Sequence, residues 1–81
     1  SLKGIIFAAI FIKDEEQKII KISFRSKGDF SVNKFSRNHF EGGGHDNAAG
    51  GKSDLCMSDT VLKFTKLITK YKNDLEISYE D

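Results

Sequence analysis

Hydrophobic and polar positions change period three times along this chain. From Ile5 to Ile12 the residues are apolar almost without a break, and rich in β-branched and aromatic types. That pattern predicts a buried strand. Lys13-Asp14-Glu15-Glu16-Gln17 reads as a solvated turn. Lys18 to Arg25 then alternates, with Ile20, Ile22 and Phe24 on one side, which predicts a second strand with one wet face, paired to the first as a hairpin. After the turn Ser26-Lys27-Gly28-Asp29, the apolar spacing becomes helical. Val32, Phe35, His39 and Phe40 define a short amphipathic helix over Ser31–Phe40, capped by Asp29 or Ser31.

A glycine-rich stretch follows, Gly42-Gly43-Gly44-His45-Asp46-Asn47-Ala48-Ala49-Gly50-Gly51. Gly42 sits where a left-handed residue commonly ends a helix. His45–Gly50 reads as a brief helical turn with Ala48 and Ala49 against a neighbour, and Lys52–Cys56 as short strand or coil. Ser58-Asp59-Thr60 marks a helix start. Val61, Phe64, Leu67, Ile68 and Tyr71 line one face of that helix to about Lys72, and Leu75–Tyr79 reads as a weak edge strand. The predicted class is α+β: a small mixed sheet that begins with a hairpin, covered by two or three helices.

Eighty-one residues make a single domain, 1–81, with one modest core. A deep catalytic cleft built wholly from so short a chain is not expected. Thirteen Lys and Arg against twelve Asp and Glu leave a formal charge of +1, so any anion binding must come from a local cluster. Such a cluster exists: Lys18, Lys21, Arg25, Lys27, Lys34 and Arg37 face only Asp29 between positions 18 and 40. The one cysteine, Cys56, has no internal partner, and no secretion signal or bilayer-length apolar run is present. A cytoplasmic setting without membrane contact is the expectation.

The glycine stretch carries the candidate chemistry. It is short of side chains, so a ligand can approach the backbone closely and meet peptide N–H groups, the donors an anionic oxygen needs. The competing reading is a flexible connection. The paired alanines and the position inside so small a domain favour a binding loop. Arg25 offers a planar double donor suited to phosphate, Ser26 a hydroxyl, and His45 a ring donor. Taken alone, Arg25 is equally well a surface charge at a strand end.

Other chemistries fit poorly. Gly51-Lys52-Ser53 resembles the end of a P-loop, but the first glycine of that motif would fall at Asp46, and the stretch follows a helix rather than a strand. His39, His45, Asp46 and Cys56 lack any usual zinc spacing. Cys56 reads better as a small core residue. No serine or cysteine has a base placed beside it by a motif.

The pattern Gly42-Gly43-Gly44-His45-x-x-Ala48-Ala49-Gly50 resembles the signature of the DHH-associated domain, the C-terminal substrate-binding domain of DHH-family phosphoesterases. That family includes RecJ-like exonucleases and nanoRNases, or oligoribonucleases, some of which act as pAp phosphatases. The strand ending in Arg25-Ser26 and the helix carrying Val32 fit the same order, and the resemblance covers almost the whole chain. It implies manganese-dependent hydrolysis of oligoribonucleotides, pAp or single-stranded nucleic acid in a parent protein. Manganese would be held by a separate N-terminal DHH catalytic domain in cis, so no catalytic residue and no metal ligand is expected in this chain. The resemblance assigns substrate binding to Arg25, Ser26, Gly42, Gly43, Gly44 and His45. The ligand would be a nucleotide or a short single-stranded nucleic acid. The alternatives are a stand-alone RNA-binding module, similar to the C-terminal domain of alanyl-tRNA synthetase, and a dimerisation domain that pairs along Ile5–Ile12 into a homodimer.

Overall fold

The computed structural model describes residues 6–78. Four strands and two helices follow in the order β1 (Ile6–Asp14), β2 (Ile19–Lys27), α1 (Val32–His39), β3 (Gly43–His45), β4 (Ala48–Ser53) and α2 (Met57–Ser78). The sheet order is β1-β2-β4-β3, and every pairing is antiparallel. The α+β class and the opening hairpin are as expected, while the sheet is antiparallel throughout rather than mixed. Short connections make the β1–β2 and β3–β4 pairings antiparallel hairpins, and β2 and β4, joined through α1 and β3, pair antiparallel as well.

The β1–β2 turn is set by Asp14. Its carboxylate accepts from the Gln17 N–H at 3.0 Å and pairs with Lys21 at 3.0 Å, while its carbonyl accepts from Lys18 N–H. These hydrogen bonds, the Gln17 amide first, hold the Asp14 carboxyl below its ordinary range. Lys18 closes the turn with a left-handed φ of 57°.

Alternation in β2 works as the sequence implies. Ile20, Ile22 and Phe24 are buried, with Ser26 continuing the same side. Phe24 is fully buried among the rings of Phe7, Phe35, Phe40 and Phe64. Val32, Phe35 and Phe40 bring α1 onto this face; Phe64, Leu67, Ile68 and Tyr71 bring α2. Both helices therefore pack against one side of the sheet.

This single layer corrects the reading of β1 as a fully buried strand. β1 is an edge strand whose Phe7, Ala9 and Phe11 pack towards the core, while Ile6, Ile10 and Ile12 are each about 60% exposed (62%, 61% and 60%). A continuous apolar run cannot reveal whether one or both of its faces are covered.

Helix boundaries follow local hydrogen bonding. Ser31, not Asp29, caps α1: its Oγ accepts from the Lys34 N–H at 3.2 Å. Glu41, not Gly42, takes the left-handed conformation after the helix, with φ 51°. Gly42 instead donates to Ser36 O at 3.3 Å. α2 begins at Met57, and its first turn closes with Thr60 N–H donating to Cys56 O at 2.9 Å. Cys56 is exposed rather than in the core. The buried stripe of α2 begins at Thr60, not Val61, because the Thr60 hydroxyl donates to Ser53 Oγ at 2.8 Å and so satisfies itself inside. The helical backbone runs through Ser78, which replaces the edge strand expected from Leu75; Tyr79 lies outside the described residues. No glycine or proline interrupts the chain after Lys72. Among the described residues no helix is long and apolar enough to cross a membrane.

His39 ties the two helices together. Its Nε2 lies 2.9 Å from the Tyr71 hydroxyl, and Lys63 of α2 donates to the His39 carbonyl at 2.6 Å. Burial, and then the charges of Lys63 and Lys70, push the His39 pKa below its ordinary value. The unfolded chain thus takes up its proton first as pH falls. Stability should be full above the ordinary histidine pKa and decline as pH drops through and below about 6.5. The thermal midpoint of the native protein should fall between pH 7 and 5 by more than that of His39→Gln. Equal slopes would remove His39 from this role. Asp14 does not confuse the comparison, because its depressed pKa acts below about pH 4.

Candidate functional site

The glycine-rich stretch is a β-hairpin. Gly43, Gly44 and His45 pair with Gly50, Ala49 and Ala48, and Asp46-Asn47 make the turn. The brief helical turn expected over His45–Gly50 is therefore corrected to strand, turn and strand. Glycine and alanine carry little hydrophobic signal of either period, so nothing in these ten residues announces a ladder.

The peptide N–H groups are mostly not free for an anion. Gly42 donates to Ser36 O, and Gly44 donates to Asn33 Oδ1 at 3.0 Å. The glycines act chiefly by what they lack. A methyl group at Gly51 would meet Ser36 Oγ at 2.7 Å and Phe40 Cβ at 2.9 Å; one at Gly44 would meet the Ala48 carbonyl at 2.7 Å. Ser36, fully buried, donates its hydroxyl to Gly50 O at 2.5 Å and locks α1 onto β4. Gly42 and Gly51 thus let helix and strand close up, and Ala49 joins the core opposite Phe24.

What the hairpin presents to solvent is the other face of the sheet. Paired residues point to the same side, so the register places Ala8, Arg25, Ala48 and His45 in one row across β1, β2, β4 and β3. The neighbouring row is Ile10, Ser23, Gly50 and Gly43. Arg25 stands between two alanines, and its backbone lies two strand spacings, roughly 10 Å, from that of His45. A shallow depression of about 250 Å³ opens here, walled by Ser23 and Arg25, by Gly43 and Gly44, and by Ala48 to Gly50. His45 is exposed in the same ladder row but is not part of that wall. Arg25 gives one Nη1 hydrogen bond, 2.8 Å, to the Phe24 carbonyl. The remaining guanidinium donors face no protein acceptor among the described hydrogen bonds, and a planar oxyanion fits them.

Ser26 is not brought to Arg25. It lies on the opposite face, 8% exposed, and its hydroxyl donates to Phe30 O at 2.8 Å while accepting from Asn47 Nδ2 at 3.0 Å. Around it, Ser26 N–H donates to Asn47 O, Val32 N–H to Asp46 O, and Ser31 Oγ to Asp46 Oδ1. This network fastens the turn after His45 to the start of α1 and the end of β2. Sequence reasoning placed Ser26 beside Arg25 because they are adjacent in the chain, whereas successive residues of a strand face opposite ways. It passed over Ser23, which the same alternation puts on Arg25's side, and Asn33, which no local pattern marks.

Residues 3–74 match the DHHA1 domain. The chain belongs to the DHHA1 domain family. The fold of this DHHA1 domain is also similar to part of a crystal structure of an exopolyphosphatase-related protein from Bacteroides fragilis. The TM-score is 0.77 at 40% sequence identity, over 86% of this chain and 20% of that one. The DHHA1 domain described here thus spans about one fifth of that protein's length. No curated protein matches the chain. Among the described residues no group of three or more His, Cys, Asp and Glu side chains could hold a metal ion. This DHHA1 domain is a domain associated with DHH-family phosphoesterases.

Proposed function

We propose that the open sheet face around Arg25 binds the phosphate of a nucleotide or short single-stranded nucleic acid. In this reading the domain serves a DHH catalytic domain in cis, within a phosphoesterase that uses manganese and works in the cytoplasm. The observation that carries it is the placement of Arg25 between Ala8 and Ala48 above a depression bordered by glycine, with His45 in the same ladder row. Small neighbours on both sides allow a phosphate to reach the guanidinium fork, where two parallel N–H donors fix its orientation as well as its charge. His45, on the edge strand, donates from the other side of the same row. Ser26 acts at one remove, holding the Asp46-Asn47 turn that follows His45. The domain's part in catalysis is to place the phosphate and balance its charge. Hydrolysis itself belongs to the catalytic domain, and no step of it runs through the residues described here.

The test is an NMR titration with a 5′-phosphorylated diribonucleotide, with inorganic phosphate as control. Amide shifts should concentrate at Arg25, Gly43 to His45 and Ala48 to Gly50, and exceed those that phosphate gives. Shifts confined to α2, or none at millimolar ligand, would refute the assignment. Tight binding of tRNA with no response to the diribonucleotide would instead establish the RNA-binding module.

A further inference from the structure

Beside the phosphate anchor runs a stripe of a different character. Both helices cover one face of the sheet, and Ile6, Ala8, Ile10 and Ile12 of β1 all point to the other. The three isoleucines remain 60–62% exposed. Single exposed apolar residues are common; three in register on one strand, with only an alanine between them, form a patch. The antiparallel register sets this patch directly against the polar side of β2. Ile6 pairs with Lys27, Ala8 with Arg25, Ile10 with Ser23 and Ile12 with Lys21.

Charge is unevenly spread along the polar row. Lys21 is paired with Asp14 at 3.0 Å. Arg25 and Lys27 have no carboxylate partner among the described ion pairs. The end of the face that can take an anion is therefore the Arg25–Lys27 end, where the facing β1 residues are Ile6 and Ala8, with Ile10 next along the row opposite Ser23. Ala8, opposite Arg25, carries only a methyl group between the longer side chains of Ile6 and Ile10.

We infer that Ile6, Ala8 and Ile10 form a seat for a nucleobase, beside Arg25 and Lys27, and that this face selects nucleotides over bare phosphate and polyphosphate chains. The inference rests on the phosphate-binding reading of Arg25 and adds the part of the ligand that is not phosphate. A polyphosphate chain is charged along its whole length and would gain nothing from Ile6 and Ile10, whose flank it would have to desolvate against. A nucleotide has a dianionic end and a flat, weakly polar end, which matches a cation row bordered by an aliphatic row one strand spacing, about 4.8 Å, away. Aliphatic side chains grip the face of any base by area alone, so the seat tolerates all four bases.

The experiment compares three ligands by calorimetry or NMR: adenosine 5′-monophosphate, ribose 5-phosphate and tripolyphosphate. The native protein should bind the nucleotide about tenfold tighter than ribose 5-phosphate, the value of burying part of one isoleucine and one base face. Ile10→Ser should bring those two ligands within about twofold of each other and leave ribose 5-phosphate unchanged. Ile10 is exposed, so the fold should survive, and Ile12→Ser, one row beyond the seat, serves as the control that keeps the tenfold preference. Equal affinity of the native protein for nucleotide and ribose 5-phosphate, or tightest binding of tripolyphosphate, would overturn the base seat while Arg25-dependent phosphate binding stood. Parallel weakening of all three ligands by Ile10→Ser would do the same. Failure of all three to bind the native protein would overturn the phosphate reading, and the seat with it.

Discussion

Alanine at Gly42 should destabilise the protein by about 3 kcal/mol, the upper end of what overpacking usually costs. The added Cβ would overlap the Gly50 carbonyl oxygen, lie 2.5 Å from Ser36 Oγ and 2.7 Å from Gly51 Cα. Two of those three atoms are backbone, and the third is a buried hydroxyl that already donates to Gly50 O. None can rotate aside. Relief requires α1 to move off β4, which breaks the Ser36–Gly50 bond and the bond from Lys52 N–H to Phe40 O. Urea denaturation of Gly42→Ala against the native protein measures this, with Gly50→Ala as the contrast. At Gly50 the only close atom is Ile22 O, at 3.7 Å, so that variant should unfold within about 1 kcal/mol of the native protein. Equal midpoints for the two variants would show that the helix–strand approach is not fixed as described.

Arg25→Ala should leave the fold alone and remove ligand affinity by about 10- to 150-fold, the range expected for one charge-assisted hydrogen-bonding group. The side chain is exposed, and its one intramolecular bond, to the neighbouring Phe24 carbonyl, is not needed by β2, whose ladder pairs on both sides. Arg25→Lys should recover only part of the loss, because an ammonium keeps the charge but not the fork. The readout is the dissociation constant for a 5′-phosphorylated dinucleotide. An Arg25→Ala protein that binds as the native one does would dismiss Arg25 as a surface charge at a strand end. The two experiments separate the roles of one motif: Gly42 should report through stability, Arg25 through binding.

How far the sequence spoke differed from element to element. The β1–β2 hairpin and the buried face Ile20, Ile22 and Phe24 were legible because alternation of large apolar and charged residues is a direct image of a pleated, half-covered strand. α1 was legible for the same reason at helical period. The β3–β4 hairpin was not. Its residues are too small to show a period, and β4 is a strand because its backbone finds β2, a pairing from Arg25–Ala48 to Ile20–Ser53 that no local pattern encodes. The candidate site was half legible. Arg25 and His45 could be named from chemistry, but their shared row depends on that unseen register. Ser26 was named by adjacency to Arg25 and lies on the other face. Thr60 was passed over because a hydroxyl counts as polar until a partner such as Ser53 is in view.

The two margins of the sheet are finished differently. At β3 the Asn33 side chain occupies the outward Gly44 N–H, and the strand is three residues long. At β1 nine residues pair on one side only, and no charge interrupts them between Ile6 and Ile12. Growth of the sheet by a further strand is thus closed at one margin and open at the other among the described elements. A filament needs two sticky margins per molecule, and the described elements offer a single one. Were two copies to pair along β1, the described elements would leave no second margin, so a feature that in a two-edged sheet would invite fibres would stop at the first partner.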